Sequence, residues 1–309
     1  MKTKSQKILL FLKGIGMGSA DIVPGVSGGT IAFITGIYEE LLASIKAVDF
    51  DALKLLLKGN FKAFWLKING SFLLILLSGI VVSLFSLARA ISYFLEHHHI
   101  QLWSFFFGLI LISALVVSRD ISRWDPRIIL ALLAGMVAAY LITEAVPATT
   151  PNSYLLIFLS GAIAICAMIL PGISGSFILL LLGKYSFILE ALKEFDLPVI
   201  ILFVLGCATG LLSFSRVVSW MLNKFRNLTV ATLVGFMIGS LNKVWPWKET
   251  ITTYLDRYGE VQPLTEKNIL PTTYQALGFE PHIWEAVLFF ALGVALVAFL
   301  EKAAQRIQP

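Results

Sequence analysis

Charge is scarce in this chain. Only 14% of its 309 residues are Asp, Glu, Lys or Arg, 58% are hydrophobic, and the mean hydropathy is +0.85. An average soluble domain carries about 25% charged residues, so one or two ordinary soluble domains are excluded although the length would accommodate them. The same imbalance excludes disorder. Cysteine is scarcer: Cys166 and Cys207 both lie in apolar runs without the spacing of a zinc site or redox pair. They read as small core residues, and a disulfide-stapled fold is excluded. Histidine contributes a consecutive triplet, His97–His99; consecutive side chains do not share a helical face, so these read as a short external loop and not as metal ligands. No H-E-x-x-H, nucleophile elbow or Walker sequence is present. Gly14-x-Gly16-x-Gly18 lacks the βαβ setting of a dinucleotide loop. The chain is therefore expected to use no metal and no cofactor. Its net charge of +5 is not clustered on one solvated face, so nucleic acid is not an expected partner.

What is abundant is long apolar sequence. A spanning helix needs about 20 mostly apolar residues. Ser71–Leu95, Gln101–Ser118, Arg127–Glu144, Leu197–Leu222, Thr229–Val244 and Ile283–Leu300 meet or approach that length. Ile8–Ile45 and Tyr154–Leu192 are too long for one span, and each is interrupted by Pro and Gly, in DIVPGVSGGT (Asp21–Thr30) and MILPGISGSF (Met168–Phe177). Proline removes a backbone donor and glycine leaves the helix unsupported. Turns are therefore expected at Pro24-Gly25 and Pro171-Gly172, giving two re-entrant hairpins of two half-helices each, tolerated only where they face protein or a cavity. The basic N-terminal segment, whose apolar run Ile8–Leu12 is too short for a signal peptide, reads as an interfacial or entering helix.

The two halves of the chain resemble each other. An offset of 147 carries Pro24-Gly25-Val26-Ser27-Gly28 onto Pro171-Gly172-Ile173-Ser174-Gly175, and Gly14, Gly36 and Tyr38 onto Gly161, Gly183 and Tyr185. Further on, an offset of 127 carries Gly79, Ser86, Arg89, Ser92, Gly108 and Ser113 onto Gly206, Ser213, Arg216, Ser219, Gly235 and Ser240. One hairpin and three spans per repeat give an odd number of crossings, so the second repeat is expected upside down, as in many secondary transporters. With both termini in the cytoplasm, sixteen Lys and Arg fall on the inner side and five on the outer, which obeys the positive-inside rule. The expected architecture is an all-α polytopic membrane protein forming one transmembrane domain over 1–309. It comprises two inverted repeats, 8–145 and 154–301, each with one re-entrant hairpin and three transmembrane helices, and a polar external loop, 245–282, with Trp245 and Trp247 as interfacial anchors.

Few charges remain inside the spans. Arg89 and Arg216 occupy matching positions flanked by serines. An intramembrane Arg is costly and faces a cavity or partner, or snorkels to the interface. After each turn a half-helix begins, and its free amides and positive dipole end suit an anion. This makes Ser27, Gly28 and Gly29, with Ser174, Gly175 and Ser176, candidates for an anion site together with the two arginines. Asp21 is unmatched, because Met168 stands at the equivalent position; it reads either as a carrier of a coupling proton or sodium ion or as a helix cap. Glu39 is a second coupling candidate. With one Asp and no His inside the spans, a membrane phosphatase or head-group transferase lacks its base or nucleophile cluster.

GMGSADIVPGVSGGTIAFITGIYEEL and ILPGISGSFILLLLGKY resemble the bacterial polyprenyl-phosphate transporters, over nearly the whole chain. The resemblance rests on Asp21, Pro24, Gly25, Ser27, Gly28, Gly29, Pro171, Gly172, Ser174 and Gly175. It implies a non-enzymatic flippase of the bacterial cytoplasmic membrane. Such a protein returns undecaprenyl phosphate from the outer to the cytoplasmic leaflet, where the lipid carrier of cell-wall precursors is used again. Paired Arg forks suit a phosphate independently of the resemblance. The expected partners are thus polyprenyl phosphate and membrane lipids; the coupling ion and a homo-oligomer stay open. The competing expectation is a secondary carrier or channel for a small soluble anion, which needs a closed aqueous path and no lateral opening to lipid.

Overall fold

A computed structural model of the chain describes residues 4–23, 26–148, 150–255 and 261–307. Pro24 and Gly25, where the first turn is expected, lie outside these. The first half runs α1 (Lys4–Ile22), α2 (Gly28–Ile34), α3 (Tyr38–Lys46), α4 (Phe50–Leu57), α5 (Phe61–Lys67), α6 (Gly70–Ser86), α7 (Ala88–His97), α8 (His99–Ser118) and α9 (Pro126–Glu144). The second runs α10 (Tyr154–Ile169), α11 (Gly175–Leu181), α12 (Tyr185–Lys193), α13 (Leu197–Lys224) and α14 (Arg226–Ser240), which tightens into a 3₁₀ turn, Leu241–Val244. An antiparallel hairpin of β1 (Lys248–Leu255) and β2 (Val261–Asn268), then α15 (Pro271–Ala276) and α16 (Ile283–Ile307), complete it.

Among the described residues four helices are long and apolar enough to cross a membrane: α8, α9, α13 and the 283–302 stretch of α16. The number rises to six if the bent pairs α5–α6 (69°) and α11–α12 (108°) each count as one. The chain is a multi-pass, all-α membrane protein with one small β-hairpin. Start signals sit where helix chemistry requires them: Asp125 caps α9 ahead of Pro126, and Asp196 caps α13.

Four expectations are corrected. Each interrupted region contains three helices, not two: a long one, then one of seven residues, then one of nine. The extra bend comes from Gly36 and Gly183, whose φ of +69° and +64° end α2 and α11 in the left-handed conformation. There the chain folds back through bonds from Ile37 N to Ala32 O and from Lys184 N to Leu179 O, the Schellman closure. Ser71–Leu95 breaks at Leu87, between α6 and α7. Thr229–Val244 starts earlier, at Arg226, and its α-helix stops at Ser240. The His triplet is not a loop: His97 ends α7 and His99 begins α8.

Helices pack in pairs through glycines. A Cβ on Gly79 of α6 would overlap the Phe11 carbonyl oxygen of α1, and one on Gly206 of α13 that of Phe158 in α10. Gly108 of α8 meets the Phe290 carbonyl of α16, as Gly235 of α14 meets that of Leu132 in α9. Backbones in such contact gain dispersion without a side chain between them. The main buried cluster joins α1, α2, α6, α8 and α14 around Val23, Val26, Ile110 and Met237. Between α14 and α16, the Trp245 indole donates to the Ile269 carbonyl (2.9 Å) and that of Trp247 to the Pro281 carbonyl (2.8 Å), tying both ends of the loop down.

Candidate functional site

The two interrupted motifs meet at the centre of the molecule. Ser27 ends the first turn with an extended backbone, and its hydroxyl accepts from Gly29 N (3.0 Å) and donates to the Met168 carbonyl of the second motif (3.0 Å). Gly172 N donates to the Thr30 hydroxyl (2.9 Å), and the Tyr38 hydroxyl donates to the Ile169 carbonyl (3.1 Å). Each such bond contributes about 1 kcal/mol net, and more is lost if a buried partner is orphaned. Gly29 must be glycine here, since a Cβ would lie 2.9 Å from both the Met168 and Ile169 carbonyl oxygens.

The turns are alike in sequence but not in state. Ser27, Gly28 and Gly29 are all buried. Gly28 N donates to Asp21 Oδ1 at 2.7 Å, so the amide exposed by the helix start already holds a carboxylate from the end of α1. In the second motif Met168 takes the place of Asp21 and puts a thioether side chain near Gly175. Ser174 accepts from Phe177 N (3.3 Å) and shares a hydrogen bond with Ser176 (2.7 Å), whose side chain is exposed. Pro171 and Gly172 are buried, with Gly172 at φ +90° against Ser240.

Ser176 and Phe177 open onto a cavity of ≈880 Å³ enclosed by α7, α8, α11, α12, the β-hairpin and α15. Two ammonium groups enter it: Lys243 from the 3₁₀ turn, over the Phe177 ring (4.9 Å), and Lys248 from β1, over the Trp103 ring (4.8 Å). They share the Glu266 carboxylate, at 3.6 and 3.3 Å. Lys248 is only 9% exposed, and burial depresses its pKa to about 8. His99 bonds the Tyr274 hydroxyl (3.3 Å) on the cavity wall. A smaller cleft beside Tyr140 and Trp245 has no charged lining residue, so the larger cavity is the one chemically suited to a charged ligand.

The arginines are not drawn to the turns. Arg89, on α7, and Arg216, on α13, are both exposed, and neither makes an ion pair among the described residues. Ser92, one helical turn beyond Arg89, lines the cavity. Glu39 lies at the start of α3, paired with Arg226 of α14 at 2.6 Å. No group of three metal-ligating side chains occurs among the described residues. Lys243, Lys248, Glu266 and Tyr274 were not singled out from sequence. A lysine at the end of an apolar run followed by Trp245 and Trp247 was the available signal.

Residues 17–262 match the model of a family described as undecaprenyl phosphate translocase-like, a stretch that takes in both turns, both arginines, Lys243 and Lys248. The chain belongs to that family. It is 48% identical over 297 residues, 96% of both chains, to a protein of Vibrio cholerae named polyprenyl-phosphate transporter. A Staphylococcus aureus protein of the same name is 33% identical over 258 residues, 78% of this chain and 87% of that one. No solved structure matches it. Within this family, the cavity and the joined turns are features of a chain whose named relatives are transporters.

Proposed function

We propose that this protein transports polyprenyl phosphate across the bacterial cytoplasmic membrane, returning undecaprenyl phosphate from the outer to the cytoplasmic leaflet by alternating access of two inverted repeats. Both termini then face the cytoplasm, and the cavity faces out. The observation that carries the reading is the unequal state of the two joined turns: one is sealed around Asp21, the other opens to the ≈880 Å³ cavity. A carrier caught with one side open has that asymmetry.

The glycine contacts support the repeat. Glycine and partner each shift by the offset of its own stretch: Phe11 to Phe158 by 147 and Gly79 to Gly206 by 127. In the pairs α8–α16 and α14–α9 the glycines, Gly108 and Gly235, again differ by 127. The odd number of crossings and the positive-inside balance support inversion. Arg89 and Arg216 then lie toward opposite faces, so that each meets the phosphate in one end state, and Ser27, Gly28, Gly29, Ser174, Gly175 and Ser176 form its path between them. Asp21 and Glu39 are the proposed coupling groups, for a proton or sodium ion.

The test is inward movement of labelled polyprenyl phosphate in liposomes holding the purified protein. Wild type moves the lipid, and Arg89→Ala with Arg216→Ala reduces the rate at least tenfold. Absence of movement by wild type sinks the transport reading, and a normal rate in the double variant sinks the role of the arginines. Movement of inorganic phosphate instead of lipid would favour a soluble-anion carrier.

A further inference from the structure

We propose that the cavity between α11 and the β-hairpin is a binding site for a phosphomonoester attached to an apolar chain, with Lys243 and Lys248 as its cationic contacts and Ser176 as a hydroxyl donor. This rests on the transport reading and gives it a loading site distinct from the arginines. Two ammonium groups share one carboxylate, so the Lys243–Lys248–Glu266 cluster itself carries one positive charge in excess. A phosphate accepts hydrogen bonds on three oxygens and matches that arrangement as a point-charge pair. Both lysines stack on aromatic faces, and Lys248 also donates to the Lys243 carbonyl (2.8 Å), so the cations are held in place before a ligand arrives.

Two further carboxylates line the cavity. Glu96 is exposed and Glu249 is half-buried, and neither pairs with a lysine among the described residues. They repel any anion, so a ligand with apolar surface to bury has an advantage over a free phosphate. The walls favour a ligand that brings its own apolar part: Leu95, Trp103, Phe177, Leu180, Leu277 and Phe279 line them. A lysine pair sharing one carboxylate beside an aromatic and aliphatic wall is amphipathic in the way a prenyl phosphate is. The site is also contiguous with the second turn, because Phe177, which carries Lys243 on its ring, is the third residue of α11.

The probes are farnesyl phosphate, farnesol and inorganic phosphate, titrated onto the purified full-length protein in detergent. Farnesyl phosphate is expected to bind at least tenfold tighter than the other two. Lys243→Gln with Lys248→Gln should weaken it at least tenfold, and Glu266→Gln, which frees both cations, should tighten it severalfold. Equal binding of farnesol overturns the phosphate contacts. Equal binding of inorganic phosphate assigns the cavity to the free ion and overturns the lipid source. Unchanged binding in the double variant overturns the site; if that variant does not fold, unchanged binding in Glu266→Gln does so. Lost binding sites and lost transport are separable: lipid movement that persists in the double lysine variant removes the site and leaves the transport reading standing. Farnesyl phosphate binding without lipid movement by wild type does the reverse.

Discussion

The paired glycines make a quantitative prediction about how the molecule is held together. In Gly206→Ala the new Cβ falls well inside 3.0 Å of the Phe158 carbonyl oxygen, with the Ala162 backbone N at 3.2 Å, and in Gly79→Ala it meets the Phe11 carbonyl, Gly14 Cα (3.0 Å) and Ile15 N (3.0 Å). All of these are backbone atoms, so neither contact relaxes by turning a side chain; the two helices must move apart. Forcing a methyl group into a packed contact costs about 1–3 kcal/mol. Replacing a helical Gly by Ala gains about 1 kcal/mol of propensity in the opposite direction. Gly16→Ala separates the two terms, because its Cβ meets only the Ile31 Cγ2 methyl, at 3.3 Å, the end of a side chain. Gly16→Ala should therefore be neutral or slightly stabilised, with Gly79→Ala and Gly206→Ala about 1–3 kcal/mol below it and equal to each other within about 1 kcal/mol. Thermal unfolding of the three variants in one detergent reads this as a gap of roughly 2–10 °C. Midpoints for Gly79→Ala and Gly206→Ala at or above that of Gly16→Ala would refute the close-packed helix pairs.

Three further outcomes follow from single contacts. Asp21→Asn keeps an acceptor for Gly28 N and should retain the wild-type midpoint, whereas Asp21→Ala loses the cap and about 0.5–2 kcal/mol; in liposomes Asp21→Asn should no longer respond to a pH gradient, and an undiminished response would leave Asp21 as a cap alone. Glu39 and Arg226 are 57% and 51% exposed, so their coupling in a double-mutant cycle should stay under about 1 kcal/mol, with Glu39→Arg restoring what Arg226→Glu loses; a coupling above about 2 kcal/mol would contradict a solvent-screened pair. Lys248 loses its proton in the folded protein at about pH 8, below its usual 10.5, so the unfolded chain binds more protons between those values and stability rises with pH across that window. Phosphate binding has the opposite sign and should weaken by up to tenfold per pH unit above about pH 8. Lys243, Glu266, Glu249, Glu96, His99 and Tyr274 face the same cavity, so Lys248→Arg, which stays charged, is the variant that must flatten the profile if Lys248 is its source.

What could be read from the sequence followed the range of the forces involved. The positions where α2 and α11 begin are local, set by Pro, Gly and Ser within a few residues, and Ser27 and Ser174 stand at both helix starts as that chemistry demands. The break at Leu87 was missed because Ser83–Arg89 is apolar enough on average to continue a span. Nor does hydropathy locate Lys248: it lies in a polar loop, and only the pairing of β1 with β2 folds it back over Trp103. The partner of Glu39 is 187 residues away in sequence, a separation that no motif spans. Arg89 and Arg216 were recognised as a matched pair, but the side of the helix they face depends on tertiary packing.

The bonds joining the two turns have a mechanical consequence. Ser27 to Met168, Thr30 to Gly172 and Tyr38 to Ile169 pin the two halves together near one point. Any rigid-body motion that preserves these three bonds must rotate about them as a fulcrum. The nine residues of α3 make a lever of about 13 Å. A tilt of about 10° at the fulcrum then displaces its tip, at Lys46, by roughly 2 Å, while Glu39, beside the pinned Tyr38, keeps its 2.6 Å contact with Arg226.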